Sequence, residues 1–268
     1  MKSYLGDSLC ECGKHHSVAI DDVITGNGVI KQLPELIRRY NCVRPFLLAD
    51  TNTYAAAGVR VCQILDDAKI QYSHFVFPQT DVKPDEESIG STILHFDTNC
   101  DLIIGIGSGV INDIGKVLSS VTNKKYFIVC TAPSMDGYAS ATSSLDMDGL
   151  KVSLKTRCAD LIIGDIEILK QAPIEMLKAG LGDMLAKKVS IAEWRIANVI
   201  TGEYYCEQVA QLIRNALNKC ISNASALLKR DDAAVQAVFE GLVIGGIAMA
   251  YAEVSRPASG VEHYFSHI

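Results

Sequence analysis

The chain has 268 residues, 49% hydrophobic and 21% charged side chains, and a formal net charge of -6 at pH 7, the profile of a globular protein with a sizeable core. The mild negative charge and the lack of any Lys/Arg-rich run exclude nucleic acid as the main partner. No apolar run reaches the ~18 residues of a membrane span, and the opening MKSYLGDSLCECGKHH lacks the apolar stretch of a signal peptide, while nine scattered cysteines point to a reducing compartment, the cytoplasm.

In chain order, the first feature is CECGKHH at 10–16, two cysteines and two histidines in seven residues. Those four side chains are crowded for one tetrahedral site, and no second cysteine pair follows at zinc-finger spacing. The segment is read as a solvated lead-in to a strand. Helical patterns then cover about 28–40, 53–69, 84–98 and 110–122. Strands RPFLLAD (44–50), SHFVF (73–77), DLIIGIG (101–107) and YFIVCTAP (126–133) separate them. Buried strands alternating with helices predict a parallel sheet covered on both faces. TSSLDMDG (142–149) reads as a polar turn, followed by a strand-like pair, LKVSLKT (150–156) and DLIIGD (160–165). Beyond Pro173 the pattern is helical, with breaks near TGEY (201–204) and KRDD (229–232). The expected fold class is an α/β Rossmann-like parallel-sheet domain over 1–170 followed by an all-α domain over 171–268.

Several stretches carry chemistry. DLIIGIGSGVINDIGK (101–116) is a strand, a glycine turn and a helix start. Gly105, Gly107 and Gly109 allow close backbone approach, and the helix start offers N–H groups to a phosphate; a tight turn without ligand is the other reading. Asp50, ending its strand, suits either a ribose hydroxyl or the cap of the next helix. TAPSMDGYASATSSL (131–145) places hydroxyls and Asp136 after a strand, where open α/β sheets bind ligands. In KAGLGDMLAKK (178–188), Gly180 and Gly182 flank Asp183. That carboxylate either makes a surface pair with Lys187 at i, i+4 or turns into a cleft at a helix kink. Finally, SRPASGVEHYFSH (255–267) sets His263 and His267 one helical turn apart. With Asp183 as a third ligand type, such a pair suits zinc, nickel or iron(II).

GIGSGVINDIGK, TAPSMDGYAS, GLGDMLAK and SRPASGVEHYFSH, in that order, make the chain resemble the metal-dependent polyol dehydrogenases of the dehydroquinate-synthase-like superfamily. Within them it is most similar to the sn-glycerol-1-phosphate dehydrogenases. The resemblance implies hydride transfer between NAD(P)H and dihydroxyacetone phosphate, a small phosphorylated ketone, assisted by a divalent metal, zinc or nickel. It implies that Gly107, Gly109 and Asp113 hold the cofactor pyrophosphate, that Asp50 faces the adenosine ribose, and that Thr131, Ser134 and Ser140 line the cofactor. Asp136 then contacts substrate, Asp183 binds the metal beside the substrate, His263 is a second metal ligand, and His267 touches substrate, with Asp183 and His267 as the catalytic positions.

Family members carry a third ligand, another histidine, beyond this pair, and the sequence stops at Ile268. A C-terminally truncated form with weak metal binding is therefore the expectation. Arg256, Lys151 and Lys155 are the candidates for the substrate phosphate. The alternatives are a glycerol or polyol dehydrogenase, a dehydroquinate-synthase-like lyase, and a non-catalytic NAD-binding remnant. Self-association into a homo-oligomer is expected from the apolar helical half.

Overall fold

A computed structural model describes residues 9–261 and 263. The strands among them are β1 (Asp22–Gly26), β2 (Pro45–Asp50), β3 (Ser73–Phe77), β4 (Leu102–Gly107), β5 (Lys125–Cys130), β6 (Thr142–Met147), β7 (Leu150–Lys155) and β8 (Leu161–Asp165). All but β6 and β7 form one parallel sheet in the order β1-β8-β5-β4-β2-β3. Its register aligns Leu47, Ile104, Phe127 and Leu161 in one row across four strands. Strands buried on both faces read as near-continuous apolar runs, which is why these were legible.

The row on the Leu47 face packs against α1 (Leu33–Arg39) and against α3 (Val59–Asp67), through Leu33, Ile37, Val61 and Leu65. A short α2 (Thr51–Thr53) leads into α3 through a π-helical turn, Tyr54–Gly58. After α4 (Glu86–His95) comes α5 (Gly109–Thr122), which covers the opposite face around Tyr126. That fully buried ring leaves no room for a side chain at Gly105, which meets its hydroxyl, or at Gly115 of α5, where a Cβ would lie 2.6 Å from the ring. The Tyr126 hydroxyl donates to Asn112 Oδ1 at 3.3 Å. At the other end of the sheet, buried Asp165 caps α6 (Ile166–Leu169) and accepts the N–H groups of Gly28 and Ile30, both at 3.1 Å.

The polar stretch read as a turn is a strand. β6 pairs antiparallel with β7, Met147 opposite Leu150, and Asp148 (φ 50) and Gly149 (φ 76) make a two-residue link with both φ positive, as hairpins require. Every second residue faces inward, Ser143 and Leu145 being buried, so serines hid a period-two pattern. Consequently β7 is not the partner of β8, which joins the main sheet between β1 and β5. The strand expected after CECGKHH is β1, five residues of weak pattern, DVITG.

The helical part comprises α7 (Ile174–Thr201), α8 (Glu207–Leu227) and α9 (Asp232–Ala252). Left-handed Gly202 (φ 73) ends α7, and the Asp231 carboxylate starts α9 by accepting Ala234 N–H at 3.1 Å. By length and composition α9 is apolar enough to cross a membrane, but 67% of that stretch is buried, as befits a core helix.

The chain forms two compact units. One contains Ala19–Ala132 and Ala141–Ala172; the other contains the segment ending at Val18, Pro133–Ser140 and the chain from Pro173 onward. The expected single domain over 1–170 therefore gives up two segments to the helical unit. The reason is packing: His16 bonds to the Tyr251 carbonyl of α9 at 2.9 Å, and Ala139 sits against Gly246 of α9. Nor is the CECGKHH segment wholly solvated: Cys10 and His16 are 7% and 5% exposed, while Glu11, Gly13 and His15 face solvent.

Replacing Gly115 by valine forces a branched side chain into the Tyr126 ring. The expected cost is about 1–3 kcal/mol, seen as a lower urea midpoint at unchanged slope.

Candidate functional site

In the sheet unit, the residues expected to hold a cofactor cluster at the carboxyl edge of the strands. β4 ends at Gly107, α5 opens at Gly109, and Ser108 between them provides no side-chain cap to the helix. Thr131 follows β5, and its N–H donates to the Gly107 carbonyl at 3.0 Å. Gly107 is also required by packing, since a Cβ there would lie 2.5 Å from the Ile111 Cβ. On the neighbouring β2, Asp50 is a helix cap: its Oδ1 accepts the Thr53 N–H at 2.8 Å and its own N–H donates to Thr53 Oγ1 at 3.0 Å.

Asp113 is engaged in the fold. Lys116 Nζ lies 2.9 Å from Asp113 Oδ1, and the Ser144 N–H donates to its Oδ2 at 3.3 Å. The fully buried Lys116 ammonium also donates to the Thr142 carbonyl, so the pair fastens β6 to α5. Burial raises the Asp113 carboxyl above the usual range, against the pull of Lys116.

The helical unit assembles Asp136 and Asp183 around a lysine. Asp183 Oδ2 accepts the Asp136 N–H at 3.0 Å. Lys187, completely buried, places Nζ 2.6 Å from Asp136 Oδ2, 2.7 Å from Asp183 Oδ1 and 3.2 Å from the Ala258 carbonyl. Both carboxylates keep about a fifth of their side-chain surface exposed, 20% and 19%. Gly180 makes this possible: a Cβ there would collide with the Pro133 carbonyl, so α7 touches the 133–140 loop at backbone range. On the other side, a Cβ on Gly246 of α9 would lie 2.8 Å from the Asp136 carbonyl oxygen. The Asp183–Lys187 pair thus exists but is not a surface pair, and α7 runs without a break through Gly180 and Gly182.

Burial and the Asp136 charge push the Asp183 carboxyl above the usual range, against Lys187. Lys187 is moved upward, because the two carboxylates outweigh the burial that acts against its charge. Two carboxylates and one ammonium leave one net negative charge. Each Asp183 oxygen accepts one of the bonds above and has a second lone pair, so the set fits an added cation that takes oxygen ligands.

Ser134 and Ser140 belong to the same 133–140 loop as Asp136. Lys187, Ser190 (Oγ to the Pro257 carbonyl, 3.3 Å) and Glu193 (accepting Val261 N–H, 2.7 Å) anchor the turn that leads to His263. His263 is exposed, its N–H donating to the Gly260 carbonyl at 3.2 Å; His267 lies outside the described residues. Arg256 is held by Glu203 in a two-pronged pair at 2.8 and 2.9 Å, and Lys151 and Lys155 lie exposed on β7.

Sequence reasoning missed Lys187 as a centre of the site. The signal was present: Leu177, Gly180, Met184, Lys187, Ile191 and Trp194 are the buried face of α7, so the lysine occupies a core position of a helical repeat.

The iron-containing alcohol dehydrogenase family matches residues 24–173. The glycerol-1-phosphate dehydrogenase [NAD(P)+] of Halalkalibacterium halodurans is 31% identical over 264 residues, 97% of this chain and 66% of its own length. The enzyme of the same name from Bacillus licheniformis is 31% identical over 271 residues, 99% of this chain and 68% of its own. That from Methanosarcina mazei is 30% identical over 92% of this chain and 68% of its own. The chain thus spans about two thirds of the length of these relatives. In structure it is similar to a glycerol dehydrogenase from Schizosaccharomyces pombe, with a TM-score of 0.75 at 18% identity, over 87% of this chain and 61% of that one. It is likewise similar to an iron-containing alcohol dehydrogenase from Thermococcus thioreducens, with a TM-score of 0.72 at 15% identity, over 89% and 67%.

Lys187→Met leaves two adjacent carboxylates without their counter-charge. The expected loss of stability at neutral pH is up to about 3 kcal/mol, the low end for a broken buried pair because both carboxylates retain solvent. It shrinks as pH falls and Asp183, whose carboxyl is held above the usual range, takes up a proton. Urea unfolding of wild type and variant at neutral and mildly acidic pH measures it.

Proposed function

The chain belongs to the iron-containing alcohol dehydrogenase family, and from that premise we propose that it interconverts dihydroxyacetone phosphate and sn-glycerol 1-phosphate using NAD(P)H and a divalent metal ion. The observation that carries this reading is the buried Asp136–Lys187–Asp183 arrangement, in a chain whose relatives bear the name glycerol-1-phosphate dehydrogenase [NAD(P)+]. When bound, a divalent cation supplies Lewis acidity toward a carbonyl oxygen and the nicotinamide supplies the hydride.

In this reading Asp183 and His263 are the described residues that hold the metal, zinc or nickel, and His267 contacts substrate. Lys187 keeps the Asp183 carboxylate fixed in direction, so the ligand does not have to be ordered when the ion arrives. Asp136 turns its second lone-pair positions toward the hydroxyls of a polyol while Lys187 holds its Oδ2. Gly107, Gly109 and Asp113 form the pyrophosphate turn, with Thr131, Ser134 and Ser140 along the cofactor. Asp50 takes the adenosine ribose, and its charge favours NADH over NADPH through repulsion of a 2′-phosphate. Exposed Val189, Ile196, Val199 and Ile200 of α7 support a homo-oligomer, and nine free cysteines support a cytoplasmic setting.

The test follows NADH oxidation by the chain loaded with zinc or nickel. Turnover is expected with dihydroxyacetone phosphate and much less with dihydroxyacetone, and Asp183→Asn is expected to lower it by at least about 100-fold, about 2.7 kcal/mol. Equal rates on both ketones favour a polyol dehydrogenase, and cofactor binding without turnover on either overturns the reading.

A further inference from the structure

The N-terminal segment that the proposed reaction leaves unused is built around a second constellation. Residues 10–14 close a tight turn, Gly13 N–H to the Cys10 carbonyl at 2.8 Å and Cys10 N–H to the Lys14 carbonyl at 2.9 Å, with Gly13 left-handed at φ 84. The turn brings Cys10, Cys12 and His16 to Cys206, the residue that opens α8. Cys10 Sγ lies 3.7 Å from Cys206 Sγ, and His16 Nε2 lies 3.4 Å from Cys12 Sγ and 3.5 Å from Cys206 Sγ. All four ligand atoms fall within 4.8 Å of one another.

These separations have a specific chemical meaning. Zinc binds thiolate sulfur at about 2.3 Å and imidazole nitrogen at about 2.0–2.1 Å in a tetrahedron, which sets sulfur–sulfur edges of about 3.8 Å and sulfur–nitrogen edges of about 3.5 Å. The three separations given above match those edges. A disulfide between Cys10 and Cys206 needs sulfurs at about 2.0 Å, far closer than these lie.

The surroundings complete the picture. His16 Nδ1 lies 2.9 Å from the Tyr251 carbonyl. A carbonyl only accepts, so Nδ1 donates a proton to it and Nε2 is the nitrogen that faces the thiols, the orientation found in metal-bound histidines. Cys10, His16 and Cys206 are buried, Cys12 is half-buried, and the Tyr204 hydroxyl lies 3.3 Å from Cys12 Sγ. Burial raises the Cys12 thiol, but hydrogen bonds from Tyr204, the Lys14 amide and the neighbouring thiols outweigh it and bring it to about 6. Cys206 is pushed up to about 12, by burial and by its bonds to Cys12 and Cys10.

We propose that Cys10, Cys12, His16 and Cys206 bind one zinc ion in a closed Cys3His site that fastens the N-terminal segment to the start of α8. With four protein ligands the site has no open position for a substrate, so its role is structural. Its thiolate ligands also distinguish it from the Asp183 site, whose ligands are oxygen and nitrogen.

Cobalt(II) titration of the reduced, metal-free chain tests this directly, because only thiolate ligation produces an intense sulfur-to-cobalt charge-transfer band in the near ultraviolet. The expected result is a band that saturates at one cobalt per chain and is abolished by zinc. The band is retained in Asp183→Asn, so the outcome does not depend on the proposed catalysis, and is lost or strongly diminished in Cys12→Ala. Elemental analysis of the protein purified without chelator is expected to find one zinc per chain fewer in Cys12→Ala than in wild type. Absence of the band in wild type, unchanged zinc content in Cys12→Ala, or an intact mass two hydrogens short from a Cys10–Cys206 disulfide overturns the proposal.

Discussion

The helical unit depends on how closely one loop approaches two helices. At Gly180 the backbone of α7 meets the Pro133 carbonyl with no space for a methyl group, and Gly246 of α9 does the same to the Asp136 carbonyl. Held between them, the 133–140 loop directs the Asp136 carboxylate to Lys187, next to Asp183. A Cβ at Gly245 would stand 3.3 Å from both the Asp136 Cβ and the Lys187 Cε, so side-chain packing fixes the same geometry that the hydrogen bonds define. Packed interiors respond to single methyl groups, and here three glycines set the position of three charges.

The same device appears in each unit. Lys116 is buried on α5, pairs with a carboxylate one turn away and donates to the carbonyl of Thr142 in a chain segment distant in sequence. Lys187 is buried on α7, pairs with a carboxylate one turn away and donates to the carbonyl of Ala258. A buried ammonium is costly unless it is paired and hydrogen-bonded, and each lysine is so paired while pinning a loop or strand to its helix. The difference lies in the second carboxylate. Lys187 faces two carboxylates, Asp136 and Asp183, so its set in the helical unit carries a surplus negative charge.

Much of the sheet was legible because strands covered on both faces are largely apolar: β2, β4 and β5 lie where the sequence places them, as does the edge strand β3, read from its aromatic and β-branched residues. Helix ends were legible too, at Gly202 and Asp231, where a left-handed glycine and a capping carboxylate do local work. Features resting on long-range partners were not. The β6 strand hides its inward positions behind serines, and only its pairing with β7 reveals them. Cys206, separated from Cys10 by 196 positions, carries no local sign of its partners. CECGKHH therefore looked like a crowded fragment, when three of its residues share a cluster with a fourth from far along the chain. Asp136 and Asp183 were recognised by their surroundings in sequence. Their meeting was not, since it depends on Gly180 allowing a contact that no local pattern encodes.

The β6–β7 hairpin bears on the order in which the protein assembles. A two-stranded ribbon is marginal in water by itself, and this one is not part of the main sheet. Its attachments include the Lys116 ammonium on the Thr142 carbonyl, the Asp113 carboxylate on the Ser144 N–H, the Asp146 N–H on the Pro84 carbonyl at 3.0 Å, and the Asp148 N–H on Glu86 Oε1 at 2.8 Å. Two of these begin on α5, which is itself shaped by Tyr126 of β5. The α5 attachments exist only once α5 has docked on the sheet, so the hairpin draws part of its stability from that docking. The stretch that looked most like a simple connection thus depends for its stability on a helix packed against another part of the sheet unit.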